Sequence, residues 1–133
     1  MICQITPNIK EQIVENIIKS GETPDFAIPK AEDINLEDWE MECDEKGNVI
    51  AQGEVHSNKG DWYSCTLQKV FVDNDYRGRG LGRNIVKRLV EKAKNKQNYG
   101  LPDCQILTAD ISRSNTPSRN LFESVGFKIR DSF

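Results

Sequence analysis

The 133 residues are 37% hydrophobic and 29% charged, proportions typical of one globular domain, which we expect to span residues 1–133. The apolar runs fall short of the roughly 20 residues that a membrane-spanning helix requires, and a net charge of −3 argues against nucleic acid as the main partner. Four scattered cysteines without a CxxC pair, with His56 as the single histidine, argue against a metal site and favour free thiols in or near the core.

The first third of the chain predicts a helix and a loop. The N-terminus has no basic segment followed by a long apolar one, so we expect no signal peptide and a cytoplasmic protein. A short strand over residues 1–5 precedes apolar residues that recur at helical spacing from Ile9 to Ile18. Thr6 with Pro7 is typical of a helix start, and Gly21 of a helix end. Residues 22–36 predict a loop.

The middle of the chain predicts an antiparallel meander. Strands are expected over residues 39–43, 49–56 and 63–72, with turns at 44–48 and 57–61. A long amphipathic helix follows, marked by Leu81, Ile85, Val86, Leu89, Val90 and Ala93, and residues 100–102 break it.

The last third predicts a short strand over residues 105–109, a helix over 115–124 and a final strand over 127–130. The order strand, long helix, strand is a crossover that favours parallel pairing of the strands containing Val72 and Leu107. We therefore predict a mixed α/β fold in which a mostly antiparallel central sheet is flanked by helices.

A segment rich in glycine and arginine joins the third strand of the meander to the long helix. It reads Arg77-Gly78-Arg79-Gly80-Leu81-Gly82-Arg83. The first turn of a helix has unpaired N–H groups and a positive dipole end, and glycines let an anion approach that backbone closely. This predicts a phosphate site, best suited to a pyrophosphate. The segment is not a dinucleotide fingerprint, because Arg83 stands where GxGxxG needs its third glycine. The P-loop pattern GxxxxGK(S/T) is also absent from the sequence.

The same segment resembles the Q/R-x-x-G-x-G/A signature of the GNAT superfamily of N-acetyltransferases. A second stretch is similar to the family motif N-x-x-A-x-x-L-Y-E-K-x-G-F, in register and at the expected distance. Its matching residues are Asn115, Ser118, Leu121, Phe122, Glu123, Gly126 and Phe127. The resemblance implies a GNAT-like fold with a shortened C-terminal end, since relatives usually continue into a further strand. That difference leaves open whether a second subunit completes the site in a homodimer.

The resemblance also implies a cofactor and residues that hold it. Acetyl-CoA would be the co-substrate, without a metal, and an amine would attack its thioester directly in a ternary complex. Backbone groups of Val70, Phe71 and Val72 would pair with the pantetheine arm and polarise the thioester carbonyl. Backbone N–H groups of residues 77–83 would hold the pyrophosphate. Asn115 would contact the pantetheine arm, position the last helix, or act as its N-cap, a role worth about 1 kcal/mol.

Two residues usual in the family for acid–base chemistry are replaced. Phe122 stands where many relatives have a tyrosine acid, and Thr66 stands where many have a glutamate base. An amine with a pKa of about 10.4 is only about one part in a few thousand neutral at pH 7, so a base is needed. Glu54 is the first candidate; the alternatives are Glu42, Glu40 and His56. Cys65 as an acyl-carrying nucleophile has no evident partner.

The acidic segment from Asp25 to Glu45 favours a cationic amine acceptor, such as a lysine, a polyamine, an aminoglycoside or a protein N-terminus. A second hypothesis follows from Phe122 and Thr66: the chain is a non-catalytic acyl-CoA-binding sensor or interaction module. A third is a toxin that acetylates charged tRNA, against which the net acidity and small size argue. The acceptor, the acyl length and the oligomeric state stay open.

Overall fold

The computed structural model describes residues 8–57, 64–95, 106–111 and 114–128. Within them lie the helices α1 (Ile9–Ser20), α2 (Leu81–Lys94) and α3 (Thr116–Ser124). The strands are β1 (Trp39–Cys43), β2 (Val49–Ser57), β3 (Ser64–Val72) and β4 (Ile106–Ala109). Short 3-10 turns occupy parts of the α1–β1 and β3–α2 connections. The predicted fold class is therefore confirmed.

The four strands form one sheet in the order β1-β2-β3-β4. The pairs β1–β2 and β2–β3 are antiparallel, and β3–β4 is parallel, as the crossover through α2 predicts. One face packs on α2 and α3 through residues such as Val55, Leu67 and Leu89. The other face packs on α1, where Ile13 and Ile17 contact Trp39. Helices thus cover both faces of the sheet.

The sequence located the end of α1 correctly. Gly21 has a left-handed backbone (φ 69°), and its N–H donates to the Ile18 carbonyl. Other predicted features lie outside the described residues: the strand at 1–5, the Thr6–Pro7 start, most of the turn at 57–61 and the break at 100–102. Of the predicted final strand, residues 127 and 128 have no strand structure, and the rest lies outside. None of the described helices is long and apolar enough to cross a membrane.

A bulge bends β3 where the site begins. Gln52 pairs with Phe71 and Glu54 pairs with Gln68, so two β3 residues lie opposite Gly53 alone. One of them, Lys69, has φ 56°, the left-handed region that side chains rarely adopt. A Cβ on Gly53 would lie 2.6 Å from Leu89 Cδ1, so the sheet backbone approaches α2 closely here.

The cysteines depart from the expectation of free thiols in one case. Cys65 is a free, buried thiol, as predicted. Cys43 is disulfide-bonded, so the expectation is wrong for that residue. Four scattered cysteines carry no information about which of them the fold brings together, which is why spacing alone missed this bond.

Candidate functional site

A cleft of about 400 Å³ lies between β3, the N-termini of α2 and α3, and the end of α1. Ten of the predicted cofactor-binding residues line it together: Val70, Phe71, Val72, Arg77, Gly78, Gly80, Leu81, Gly82, Arg83 and Asn115. Ser118 and Leu121 of the second motif, together with Tyr76 before the first one, also line the cleft. The sequence did not single out Ser20, Glu22 and Pro117, which complete the described lining. The structure thus brings two distant motifs and the end of α1 to one place.

One wall of the cleft is strand backbone that β4 leaves uncovered. β4 pairs with β3 only from Ser64 to Leu67 in the described part of the chain. Beyond the bulge, Phe71 and Val72 pair with β2 on their other side and line the cleft. An extended ligand could add there like another strand, through main-chain hydrogen bonds.

The opposite end of the cleft is the glycine-lined start of α2. Gly78 (φ 80°) and Gly80 (φ 79°) both have left-handed backbones, which explains why glycine stands at these positions. Gly80 is the N-cap of α2 and has no side chain to cap the first-turn N–H groups. A Cβ on Gly82 would lie 3.2 Å from Leu121 Cδ2, so this glycine lets α2 and α3 pack closely.

The three arginines of the segment occupy different positions. Arg77 Nε donates to the Val72 carbonyl at 3.2 Å, which ties the loop to the end of β3. Arg83 also lines the cleft. The Arg79 guanidinium lies 5.0 Å from the centre of the Tyr76 ring and is not part of the lining, unlike the other residues predicted to bind the cofactor. Positive charge therefore surrounds the start of α2, as an anion site requires.

Asn115 connects α3 with the end of α1. Its Oδ1 accepts the Ser118 backbone N–H at 3.2 Å, so the predicted N-cap role is confirmed. Its Nδ2 donates to Glu22 Oε1 at 3.5 Å across 93 residues of sequence. No motif marks Glu22, which simply follows the glycine that ends α1. Only the tertiary fold shows that this carboxylate reaches the cleft.

Glu54 lies on the neighbouring strand and outside the described lining. Its Oε1 accepts Gln68 Nε2 at 2.7 Å and lies 3.5 Å from Lys69 Nζ. The Glu54 and Lys69 side chains are each 17% exposed. Since Lys69 directly precedes the cleft residue Val70, this carboxylate is close in the fold to the β3 end of the cleft.

Glu40 and Glu42, the alternative bases, belong to an ion-pair network on the α2 face of β1. Arg88 Nε lies 2.9 Å from Glu40 Oε1, a second guanidinium nitrogen pairs with Glu42, and Lys92 Nζ lies 3.0 Å from Glu40 Oε2. Burial alone would raise the pKa of Glu40, but hydrogen bonds and charges of Lys92 and Arg88 outweigh burial and lower that pKa. These carboxylates hold α2 on the sheet and do not line the cleft.

A larger depression of about 650 Å³ lies beside this network, between β1 and α2. It is more open than the cleft, and Glu40, Arg88 and Lys92 in its lining already pair with one another. It has neither a glycine-lined helix start nor uncovered strand backbone. The smaller cleft is therefore the candidate functional site.

The residues at the family's acid and base positions, Phe122 and Thr66, contact core and sheet neighbours. Thr66 Oγ1 lies 3.0 Å from Thr108 Oγ1, and this hydroxyl pair joins β3 to β4. Phe122 is 5% exposed, and its ring meets that of Phe127 edge-on, with centroids 5.2 Å apart. Cys65 is fully buried and lies outside the described lining of the cleft, which does not suit an acyl-carrying nucleophile.

A family model described as "Acetyltransferase (GNAT) domain" matches residues 39–129. The L-amino acid N-acyltransferase MnaT of Escherichia coli (strain K12) is 30% identical over 82 residues, 56% of this chain and 43% of that protein. The L-methionine sulfoximine/L-methionine sulfone acetyltransferase of Pseudomonas aeruginosa is 33% identical over 87 residues, 59% of this chain and 47% of that protein. The match therefore spans slightly less than half the length of these curated relatives.

Solved structures show the same fold. The aminoglycoside N-acetyltransferase AAC(6')-Iy, in complex with CoA, superimposes with a TM-score of 0.73 at 21% identity, covering 100% of this chain and 90% of that one. Glucosamine-6-phosphate N-acetyltransferase from Arabidopsis thaliana gives 0.67 at 17% identity, with coverages of 98% and 92%.

Proposed function

The chain belongs to the acetyltransferase (GNAT) family, and we propose that it transfers an acetyl group from acetyl-CoA to a primary amine. One observation carries this proposal: uncovered β3 backbone leads along a single cleft to the glycine-lined start of α2. That combination suits a ligand with an extended, amide-bearing arm and a pyrophosphate, which is the chemistry of coenzyme A.

Each part of the cofactor has a partner in this proposal. The pantetheine arm pairs with backbone groups of Val70, Phe71 and Val72, in the place that β4 leaves uncovered. The pyrophosphate binds the N–H groups from Gly78 to Arg83, where arginine side chains add charge. A strand N–H near Phe71 polarises the thioester carbonyl, and Asn115 contacts the arm.

The reaction is a direct displacement in a ternary complex. The neutral amine nitrogen attacks the thioester carbon, and the carbonyl oxygen becomes an oxyanion that the strand N–H stabilises. The C–S bond then breaks, and coenzyme A leaves as a thiolate. With Phe122 in the core, no side chain at that position protonates this leaving group. A thiolate is stable enough to leave without an acid.

Glu54 is our proposal for the base that deprotonates the amine, acting through a water because it does not line the cleft. Its contacts with Gln68 and Lys69 hold the carboxylate in place. Glu54→Gln should lower kcat by about 100-fold, within the range for general bases, and leave the affinity for coenzyme A unchanged. Steady-state kinetics and calorimetry test this. A kcat close to wild type would assign the base elsewhere.

The acceptor class follows from the relatives and from charge. The two curated relatives are named for L-amino acids and for methionine sulfoximine and sulfone, which are small amines. A small primary amine is therefore the acceptor that we propose. Glu40 and Glu42 no longer favour a cationic acceptor, since Arg88 and Lys92 pair with them.

The decisive test is thiol release from acetyl-CoA in the presence of a panel of amines, amino acids and diamines. We expect amine-dependent release, with the acetylated amine identified by its mass increase. Hydrolysis without an acetylated product, or no release with any amine, would refute amine acetylation.

A second candidate function is supported by Thr66 and Phe122, neither of which can move a proton in the cleft. The chain would then bind acyl-CoA without turning it over, as a sensor or an interaction module. Calorimetry with acetyl-CoA separates the two candidates: binding without thiol release from any amine favours the module.

A further inference from the structure

Charged side chains of both signs line the cleft. Arg77 and Arg83 line it beside the start of α2. Glu22, which follows the end of α1, is the one carboxylate among the described residues that line the cleft. Phosphates of a nucleotide cofactor would neutralise the arginines, but nothing in that cofactor is cationic enough to match Glu22.

Three contacts place Glu22 there, and two of them join distant parts of the chain. Gly21, in the left-handed region, turns the chain away from α1, and Ser20 Oγ accepts the Glu22 backbone N–H at 3.3 Å. Lys19 Nζ lies 3.6 Å from Asp73 Oδ2, which fixes the end of α1 near the end of β3. The Asn115 amide then donates to Glu22 Oε1 at 3.5 Å.

These contacts leave the charge of Glu22 unmatched. The side-chain partner that the structure gives Glu22 is the neutral Asn115 amide, and none of the described lysines or arginines forms an ion pair with it. Glu40 and Glu42 differ, because Arg88 already pairs with both. Glu22 is exposed, so its charge is accessible to a ligand in the cleft, where a carboxylate without a counterion attracts a cationic group.

We propose that Glu22 binds a positively charged group of the acceptor, and that this acceptor has a second cationic group besides the amine that reacts. This inference rests on the proposed acetyl transfer. The reacting nitrogen must lose its proton before it attacks, so it cannot supply a lasting positive charge. A second ammonium group stays protonated throughout and can keep its ion pair with Glu22 from binding to product release.

The bound cofactor strengthens the same preference. Coenzyme A brings phosphate charges into a cleft whose walls exclude part of the solvent. The electrostatic potential in the cleft therefore becomes more negative when coenzyme A binds. A dicationic acceptor is attracted by both Glu22 and the cofactor. Its advantage over a monoamine of the same length should therefore decrease as salt is added.

The test compares 1,4-diaminobutane with butylamine, which has the same carbon chain and no second ammonium group. In wild type, kcat/KM should be higher for the diamine. Glu22→Gln should reduce the ratio of the two kcat/KM values about fivefold, the effect of losing one partly exposed ion pair. The glutamine still accepts a hydrogen bond from Asn115, so the fold is retained, and unchanged coenzyme A affinity checks this.

Two further variants sharpen the comparison. Glu15→Gln removes an exposed carboxylate from α1 outside the cleft and should leave the ratio at its wild-type value. Glu22→Asp keeps the charge and should keep most of the preference. A ratio that is equal in wild type and Glu22→Gln would overturn the assignment of Glu22.

Calorimetry of 1,4-diaminobutane with the coenzyme A-loaded protein separates this inference from the proposed reaction. Weaker diamine binding in Glu22→Gln supports the role of Glu22, even if no amine releases thiol and the catalytic proposal fails. No diamine binding to the loaded wild type would overturn the inference, even if other amines are acetylated.

Discussion

Phe122 shows how one side chain separates packing from chemistry. In the family motif this position often has a tyrosine, whose hydroxyl serves as an acid in many relatives. Here the ring packs against Phe127, and Leu121 and Ser118 of the same helix line the cleft instead. The aromatic ring at this position of the motif is retained, and the hydroxyl is absent.

We predict that Phe122→Tyr does not restore an acid. A hydroxyl added to a ring that is 5% exposed would lack a hydrogen-bond partner, so it should lower the free energy of unfolding by about 1–3 kcal/mol. Because Phe122 does not line the cleft, kcat should not increase. Urea unfolding and thiol-release kinetics measure both effects. Phe26→Tyr is the control, since Phe26 is 92% exposed and tolerates a hydroxyl. An increased kcat in Phe122→Tyr would contradict this placement.

At the scale of elements, the N-terminal glycines shape the start of α2, and in the proposed function they also admit the pyrophosphate. Gly80 caps the helix with a left-handed backbone and leaves open space where a Cβ would project. A Cβ there would meet no atom of the described residues beyond its chain neighbours within 4 Å, so the main cost of an alanine to the folded protein is backbone strain. In the cleft, however, the same methyl group would stand where an anion approaches the helix N–H groups.

Gly80→Ala and Gly47→Ala should therefore differ in their affinity for coenzyme A but lose similar amounts of unfolding free energy. Gly47 also has a left-handed backbone (φ 85°) with open space around it, but it lies in the β1–β2 turn, outside the cleft. Each variant should lose about 1 kcal/mol of unfolding free energy through backbone strain. Only Gly80→Ala should weaken coenzyme A binding, by about tenfold or more if the methyl group displaces the phosphates. Equal coenzyme A affinities in the two variants would place the pyrophosphate elsewhere.

For the whole molecule, a feature could be predicted from sequence when the residues that form it lie close together along the chain. Periodicity and glycines located α1, α2 and the meander, because helices and turns depend on near neighbours. Residues 70–83 could be predicted as a binding site because the strand, the loop and the helix start are contiguous, and most of them line one cleft in the structure. Glu22 could not, since its approach to Asn115 spans 93 residues.

The same limit applies to the acidic segment, from which the sequence analysis predicted a cationic acceptor. Arg88 and Lys92 approach Glu40 and Glu42 only because α2 packs against β1. The Arg88 guanidinium also donates to the Met41 carbonyl, at 2.6 Å. The network therefore joins α2, the helix that starts at the cleft, to β1 at the far edge of the sheet. We expect this network to stabilise the fold.

That contribution should depend on pH in a defined direction. Lys92 and Arg88 lower the pKa of Glu40 below its ordinary value of 4.5, despite the opposing effect of burial. Between the lowered and the ordinary pKa, the unfolded chain binds more protons than the folded one, so acid favours unfolding. The stabilisation is complete above about pH 4.5 to 5 and is lost as the pH falls through the lowered pKa.

Glu40→Gln should accordingly be less stable than wild type by about 0.5–1 kcal/mol at pH 7, a magnitude that allows for partial exposure of the pair. The difference should shrink as the pH falls below 4.5, because wild type then loses the charge that the variant already lacks. Urea unfolding between pH 7 and pH 3 measures this. Glu91→Gln is the control: its pair with Lys94 is on the exposed side of α2, with side-chain exposures of 68% and 64%, so its removal should change little at any pH. A constant difference between wild type and Glu40→Gln across this range would show that the charge of Glu40 does not stabilise the fold, and that its contribution comes from packing of the side chain between β1 and α2.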